Sequence, residues 1–489
     1  MTVLIKIIQV ILALSILVIV HEFGHFIASR IFGVRVEKFY MFFDWKFSIF
    51  RCKKINGKWR FKFFCKNEPE KYITHEHIDP VTKKKSYTYE PIDLDSLPDD
   101  DWRKYDEGTE FGLGWVPLGG YCKIAGMVDE SMDAAQMAQE PKPWEFRTKP
   151  AWQRLIIMIG GVCMNVILAF VIYIGLLSSY GEQYLPTAEV NKYGITVDSL
   201  AFDFGLRDGD KVLTVNGDVI ENFSQIPMAI VLDEAQYIEV ERDGRTVKVE
   251  LPEDATKRML KENKGFIGFR MPFVVEEVAQ GSPAESAGVM KDDRIIAVNG
   301  ISTPYFNDFK VVIGDFRNQD IDLTLLRDND TIVKRLSMSD EAVIGVVAKQ
   351  MMHLATQEYT FWESIPRGFK KTCKEISDYW KQVKLIFTPS TGAYESIGGF
   401  ITIGSIFPDT FVWELFWRMT ALLSIILAVM NLLPIPGLDG GHVLFLLWEV
   451  ITRRKPSDKF LEKATMIGFL FLMLLLIYAN GNDIIRLFK

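Results

Sequence analysis

His21-Glu22-Phe23-Gly24-His25 closes an apolar run over residues 3–20, and apolar character resumes with Phe26, Ile27 and Ala28. Two histidines four apart on a helix share one face and can hold one metal ion. A glutamate beside the first histidine can polarise a metal-bound water. Ionisable side chains at membrane depth are costly, which marks them as functional candidates. The stretch therefore predicts a metal site built into a membrane helix, weighed against a chance match of a short motif.

Hydrophobic residues make up 48% of the 489 residues, ordinary for a soluble protein, but they are unevenly placed. Four apolar blocks, 3–20, 155–177, 411–433 and 464–478, each approach the roughly 20 helical residues that cross a bilayer core. The net charge of -7 argues against a nucleic-acid binder. Five cysteines with no CxxC spacing argue against a cysteine-held structural zinc. Lys6 followed by an apolar run looks like a signal peptide, but cleavage after the run would discard the histidines. A retained helix is expected instead. Basic residues crowd three places: Arg30, Arg35 and Lys38 after the first span, Arg147, Lys149 and Arg154 before the second, and Arg453, Arg454 and Lys455 between the last two. By charge bias these loops are cytoplasmic, and residues 179–409 and both termini lie on the outer side.

Along the chain, aromatic and basic residues interleave over 39–64, as in strands lying on a membrane surface, with Asn56-Gly57 as a hairpin turn. Residues 68–110 form a polar insertion whose His75 and His77 read first as a solvated strand and only second as a metal site. Residues 111–123, with Gly112, Gly114, Gly119 and Gly120, are too broken for a helix and predict a re-entrant β-hairpin. Its free edge could pair with an extended peptide; an ordinary surface hairpin is the alternative. In the second span, Gly160-Gly161 permits close helix approach, and Asn165 is an amide at depth that needs a partner, either another helix or a substrate.

An internal repeat fills the outer region. Ala201, Gly205, Asp210 and Asn216-Gly217 recur as Ala284, Gly288, Asp293 and Asn299-Gly300 at a constant offset of 83 residues. Gly205-Leu206-Arg207-Asp208-Gly209-Asp210 with Val215-Asn216-Gly217 resembles the PDZ domain pattern, which implies extended-peptide binding. The second copy departs at Asp292, and neither copy has the Gly-Leu-Gly-Phe carboxylate loop of that family. Residues 362–387 read as an amphipathic helix, at the membrane interface or packed on the repeat. In the third block, Pro434 and Pro436 break a helix after Asn431, and Asp439 follows in a glycine-rich stretch. Asp439 is a metal-ligand candidate at the depth of His21 and His25; a helix cap is the other reading.

His21, Glu22 and His25 together with Asn431, Pro434, Leu438, Asp439 and Gly440 resemble the HExxH and NxxPxxxLDG motifs of the site-2 protease family of intramembrane zinc metalloproteases, in its bacterial sigma-E-regulating branch. The order of segments also matches. Val162 stands where the family often has a proline, and the insertion at 66–110 is longer than expected. The resemblance implies zinc on His21, His25 and Asp439, Glu22 as general base, and substrate contacts from Asn431, Asn165 and the glycines 112, 114, 119 and 120. It implies single-span membrane substrates, of the anti-sigma-factor or remnant-signal-peptide type, already cut once by another protease.

The expected fold is a polytopic α-helical membrane protein with four transmembrane helices, a membrane-associated β-hairpin and two tandem PDZ domains of α+β class. The expected segments are a first helix (1–33), a β region with the insertion (34–150), a second helix (151–180), PDZ copies (181–271 and 272–350), an interfacial segment (351–410), a third helix (411–452), a loop (453–463) and a fourth helix (464–489). The expected setting is the bacterial inner membrane, with the site toward the cytoplasm and the PDZ pair outside, facing peptides or substrate ectodomains. A catalytically inactive PDZ scaffold is the alternative, but it has no reason to keep a complete metal site in lipid. A metal transporter would need a polar path across the bilayer that the spans lack.

Overall fold

The computed structural model describes residues 2–67, 72–78, 85–105, 108–127, 139–262, 265–338 and 340–488. It divides into two units. The first comprises Met1–Tyr180, Tyr359–Trp380 and Ile397–Lys489, and the second Gly181–Glu358 and Lys381–Ser396.

Four helices of the first unit are long and apolar enough to cross a membrane. They are α1 (Thr2–Ile31), α2 (Ala151–Tyr180), α5 (Trp413–Leu432) and α7 (Asp458–Leu487), with α3 (Phe361–Ile386), α4 (Phe400–Ser405) and α6 (Asp439–Thr452) between them. α1 and α2 cross where Gly24 meets Gly160. A Cβ on Gly160 would lie 2.7 Å from the Gly24 carbonyl oxygen, and one on Gly24 would strike the Gly160 carbonyl. Only glycine permits that approach, as small residues do between membrane helices. The third apolar block is interrupted as its prolines predict. α5 ends at Leu432, residues 433–438 turn, and α6 begins at Asp439. Pro434 and Pro436 cannot donate to a helix, and Gly437 takes a left-handed φ of 100°. The amphipathic segment forms α3, whose Phe369 ring packs edge-on against Phe170 of α2.

A five-stranded sheet in the order β3-β2-β6-β1-β7 follows α1, built from β1 (Val36–Phe43), β2 (Phe47–Ile55), β3 (Lys58–Lys66), β6 (Glu110–Leu113) and β7 (Val116–Ile124). Asn56 and Gly57 turn between β2 and β3 with φ of 50° and 79°, the left-handed pair a tight hairpin needs. The hairpin expected at 111–123 does not form. β1 lies between β6 and β7, parallel to β6 and antiparallel to β7. The glycines make room for the side chains of β1. The Tyr40 ring occupies the space over Gly112, and a Cβ on Gly119 would lie 3.0 Å from the Phe43 ring. The polar insertion carries a two-stranded ribbon, β4 (Tyr72–Ile78) with β5 (Lys85–Pro91).

In the second unit both copies of the repeat share one topology. A first strand (Ile195–Val197; Val275–Val278) pairs antiparallel with the last (Ile267–Phe269; Val346–Ala348). Between them, Lys211–Val215, Tyr237–Arg242 and Arg245–Glu250 form one antiparallel ladder, and Arg294–Val298, Asp320–Arg327 and Asp330–Ser337 its counterpart. The repeated aspartates are structural. Asp210 and Asp293 are buried and take two hydrogen bonds each from Arg242 and Arg327, and one each from the backbone N–H of Arg207 and Met290. The same arginines donate to the carbonyls of the repeated Gly205 and Gly288.

Burial alone would raise the Asp293 pKa, but the hydrogen bonds from Arg327 and Met290 outweigh it and hold the carboxyl below its ordinary range. A folded-state pKa depressed in this way stabilises fully above the unfolded value, about 3.9, and the contribution is lost as pH falls through the folded value. Thermal unfolding of the second unit in the full chain is expected to hold steady from neutral pH to about 5 and to weaken below about 4. Asp293→Asn should lower the unfolding temperature of the second unit at pH 7, because Arg327 and the Met290 N–H lose their carboxylate partner.

Candidate metal centre

α1 places His21 and His25 one turn apart on one face, both buried, with their Nε2 atoms 3.3 Å from each other. The Oδ2 of Asp439, in the first turn of α6, lies 3.1 Å from Nε2 of His21 and 3.2 Å from Nε2 of His25. Three donor atoms thus form a near-equilateral triangle. Metal–ligand bonds of roughly 2.0–2.2 Å in a tetrahedron set its edges at about 3.3 Å, so the three atoms fit one zinc ion with a fourth position open. Among the described residues this is the only cluster of three or more His, Cys, Asp or Glu with that closeness.

The surroundings aim the lone pairs inward. Nδ1 of His25 lies 2.9 Å from the carbonyl oxygen of Ile157 on α2, to which it can only donate. That fixes its proton on Nδ1 and leaves Nε2 as a lone pair. Nδ1 of His21 faces the side-chain amide of Asn165 at 3.2 Å. A half turn of that amide puts its oxygen on the imidazole N–H, which also satisfies the otherwise unpaired, buried Oδ1. Both rings then present Nε2 toward Asp439, whose buried Oδ2 receives no hydrogen-bond donor. Three lone pairs converging on one point repel unless a cation sits among them. The residues present therefore fit a divalent metal.

Each element meets the centre for a steric reason. Gly161 of α2 lies under both rings; a Cβ there would collide with Nε2 of His25 and stand 2.8 Å from that of His21. α5 joins α2 at this level through Ser424, whose hydroxyl donates to the Asn165 carbonyl at 2.8 Å. Asn431, near the end of α5, places Nδ2 3.3 Å from Nε2 of His21. Glu22 is half-buried, one helical position beyond His21.

Of the glycines expected to bind substrate, Gly119 and Gly120 lie on β7, the edge strand of the sheet among the described residues, which sits against α1. A Cβ on Gly120 would stand 2.8 Å from Val18, three residues before His21. Gly112 belongs to β6, an interior strand paired on both sides, and Gly114 follows it, so neither offers a free edge. His75 and His77 lie on β4 and face Glu90 and Thr88 across the ribbon. Two participants escaped sequence reading. The Ile157 carbonyl carries no signal, being backbone, and Gly161 was legible as a close-packing residue but not as the floor beneath the imidazoles.

Two imidazoles and a carboxylate converging inside a bundle of apolar helices make a candidate metal centre of the kind a membrane-embedded metallopeptidase would need. The sequence pattern of peptidase family M50 matches residues 9–65 and 101–475, leaving out only the insertion and the two ends. The chain is 26% identical to the Regulator of sigma E protease of Haemophilus influenzae and 27% identical to Protease RseP of Yersinia pestis, over 98% of each chain in both cases. A Neisseria meningitidis relative, 28% identical over 98% of each chain, carries the words zinc metalloprotease in its name. The chain belongs to peptidase family M50 and is a zinc metalloprotease of the site-2 type.

Gly161→Ala is expected to displace the imidazoles, with bound zinc falling well below one per chain by metal analysis and proteolysis lost. Gly175→Ala on the same helix, where a Cβ meets nothing within 4 Å, should leave both unchanged.

Proposed function

We propose that the protein hydrolyses a peptide bond within the transmembrane segment of single-span membrane proteins, with zinc held by His21, His25 and Asp439. The convergence of those three donor atoms in an apolar bundle carries the reading. Zinc would supply Lewis-acid polarisation and an acidic water near neutral pH. The Glu22 carboxylate would accept the proton of the attacking water and pass it to the leaving amine nitrogen. The Asn431 amide, whose Nδ2 lies 3.3 Å from Nε2 of His21, would donate to the substrate backbone. Asn165 is buried against His21, which supports a role in holding that ring rather than in touching substrate.

A helical substrate hides its carbonyls in its own hydrogen bonds and must open before attack. The free edge of β7, with Gly119 and Gly120, would take up the opened segment by strand addition. The repeated outer domains, by their likeness to PDZ domains, would bind an extended peptide or admit only substrates shortened by an earlier cut. Substrates of the anti-sigma-factor class agree with the name of the Haemophilus influenzae relative, a regulator of sigma E; remnant signal peptides, and regulated intramembrane proteolysis at a bacterial inner membrane, are what the family resemblance implies. The charge bias of the loops supports a site near the cytoplasmic face. A membrane scaffold without activity is the competing reading, and the intact ligand set speaks against it.

Co-expression with a single-span substrate truncated on its outer side tests the proposal. Glu22→Gln is expected to abolish cleavage while retaining zinc, and His21→Ala to lose both. Equal processing by wild type and Glu22→Gln would refute the proteolytic role. A reporter fused after Lys489 is expected to be active on the outer side only.

A further inference from the structure

The third ligand stands at the start of a helix entered through a turn, residues 433–438, that packs against Gly440 and Gly441 of that helix and against Gly468 of α7. The turn fixes the near end of α6, and the line the helix takes from there is set by what it packs on. α6 has one buried face, Gly440, Val443 and Leu446, while Leu444, Leu447, Trp448 and Ile451 point outward. That face packs on Ile157 and Met158 of α2, in a cluster that also takes in Ala28 of α1 and Phe146. A polar contact closes the seam. Nη2 of Arg154 on α2 meets Oε1 of Glu449 on α6 at 2.5 Å, with only 9% and 16% of the two side chains exposed. The guanidinium is itself held, because its Nε donates to the Lys149 carbonyl at 2.9 Å.

The spacing makes this pair the far end of a two-point attachment. On α2, residues 154, 157, 158, 161 and 165 share a face by helical period, and they carry in turn the arginine, the carbonyl that orients His25, the core contact, the glycine under the rings and the amide on His21. On α6, residues 439, 443, 446 and 449 do the same, with Asp439 at one end and Glu449 about 15 Å away at the other. The helices run antiparallel, so Glu449 meets Arg154 while Asp439 meets the histidines lying over Gly161. Apolar packing alone is non-directional and tolerates a slide or roll of α6. A mostly buried, charge-assisted hydrogen bond tolerates neither.

We infer that Arg154 and Glu449 are positioning residues that lock the register of α6 on α2 and thereby hold Asp439 at the metal. The inference rests on the reading of His21, His25 and Asp439 as the zinc ligands. Zinc retention by the full-length chain in detergent, titrated with a competing chelator, tests it independently of proteolysis. Arg154→Gln and Glu449→Gln are each expected to weaken zinc binding about tenfold, the lower end of what loss of an outer-sphere support costs a metal site. The charge-exchanged double variant Arg154→Glu with Glu449→Arg is expected to recover most of that loss. Recovery would also show that the single variants act through the pair and not through general misfolding. Singles that hold zinc as tightly as wild type, or an exchange that recovers nothing, would overturn the inference. Wild type that binds no zinc, or His25→Ala that binds it undiminished, would instead sink the reading of the centre itself.

Discussion

Three electron pairs pointed at one spot inside an apolar bundle form the constraint around which the membrane unit is arranged. Left alone, the Nε2 atoms of His21 and His25 and the Oδ2 of Asp439 repel at separations of 3.1–3.3 Å. They face one another because every alternative is occupied. Ile157 takes the far nitrogen of one ring, Asn165 takes that of the other, and the buried Oδ2 of Asp439 receives no donor from the protein. Such a site stores its own affinity for a cation, since a divalent ion converts mutual repulsion into three attractive contacts.

Close backbone approach makes the arrangement affordable in lipid. Polar groups at membrane depth need partners within the protein, and those partners sit on neighbouring helices. Gly24 against Gly160 brings α1 and α2 together, and Gly161 leaves space for two imidazoles that a single methyl group would expel. On the other side, the turn before Asp439 is seated on α7 at Gly468, where the Pro436 carbonyl takes the space a side chain would fill. Glycine in these helices therefore serves steric access more than flexibility.

The sheet and the repeat show how the same residue types serve two purposes. Glycines at 112, 114, 119 and 120 read as one hairpin, yet β1 enters between their strands because its aromatic rings fill the room they leave. Only the half of that run on β7 lies on an edge strand among the described residues. In the second unit, the aspartates that made the repeat recognisable are bound by arginines at the ends of strands, and their recurrence records a shared fold. The ribbon of β4 and β5 lies in the gap that the family pattern leaves between residues 65 and 101.

Sequence alone marked the four long apolar helices, the helix break at Pro434 and Pro436, the repeat with its period of 83, and the three residues that converge at the candidate metal centre. These signals are local or periodic: apolar length, missing donors, fixed offsets, and two histidines on one turn. Motif likeness carried Asp439 to the histidines across more than 400 residues, but it said nothing of distance or orientation. Tertiary structure decided that Gly161 lies beneath the rings, that a backbone carbonyl sets the tautomer of His25, that β1 divides the expected hairpin, and that Arg154 meets Glu449. Each of those depends on which surfaces touch. A backbone oxygen or a glycine looks the same in sequence wherever it sits, and only packing gives it a neighbour.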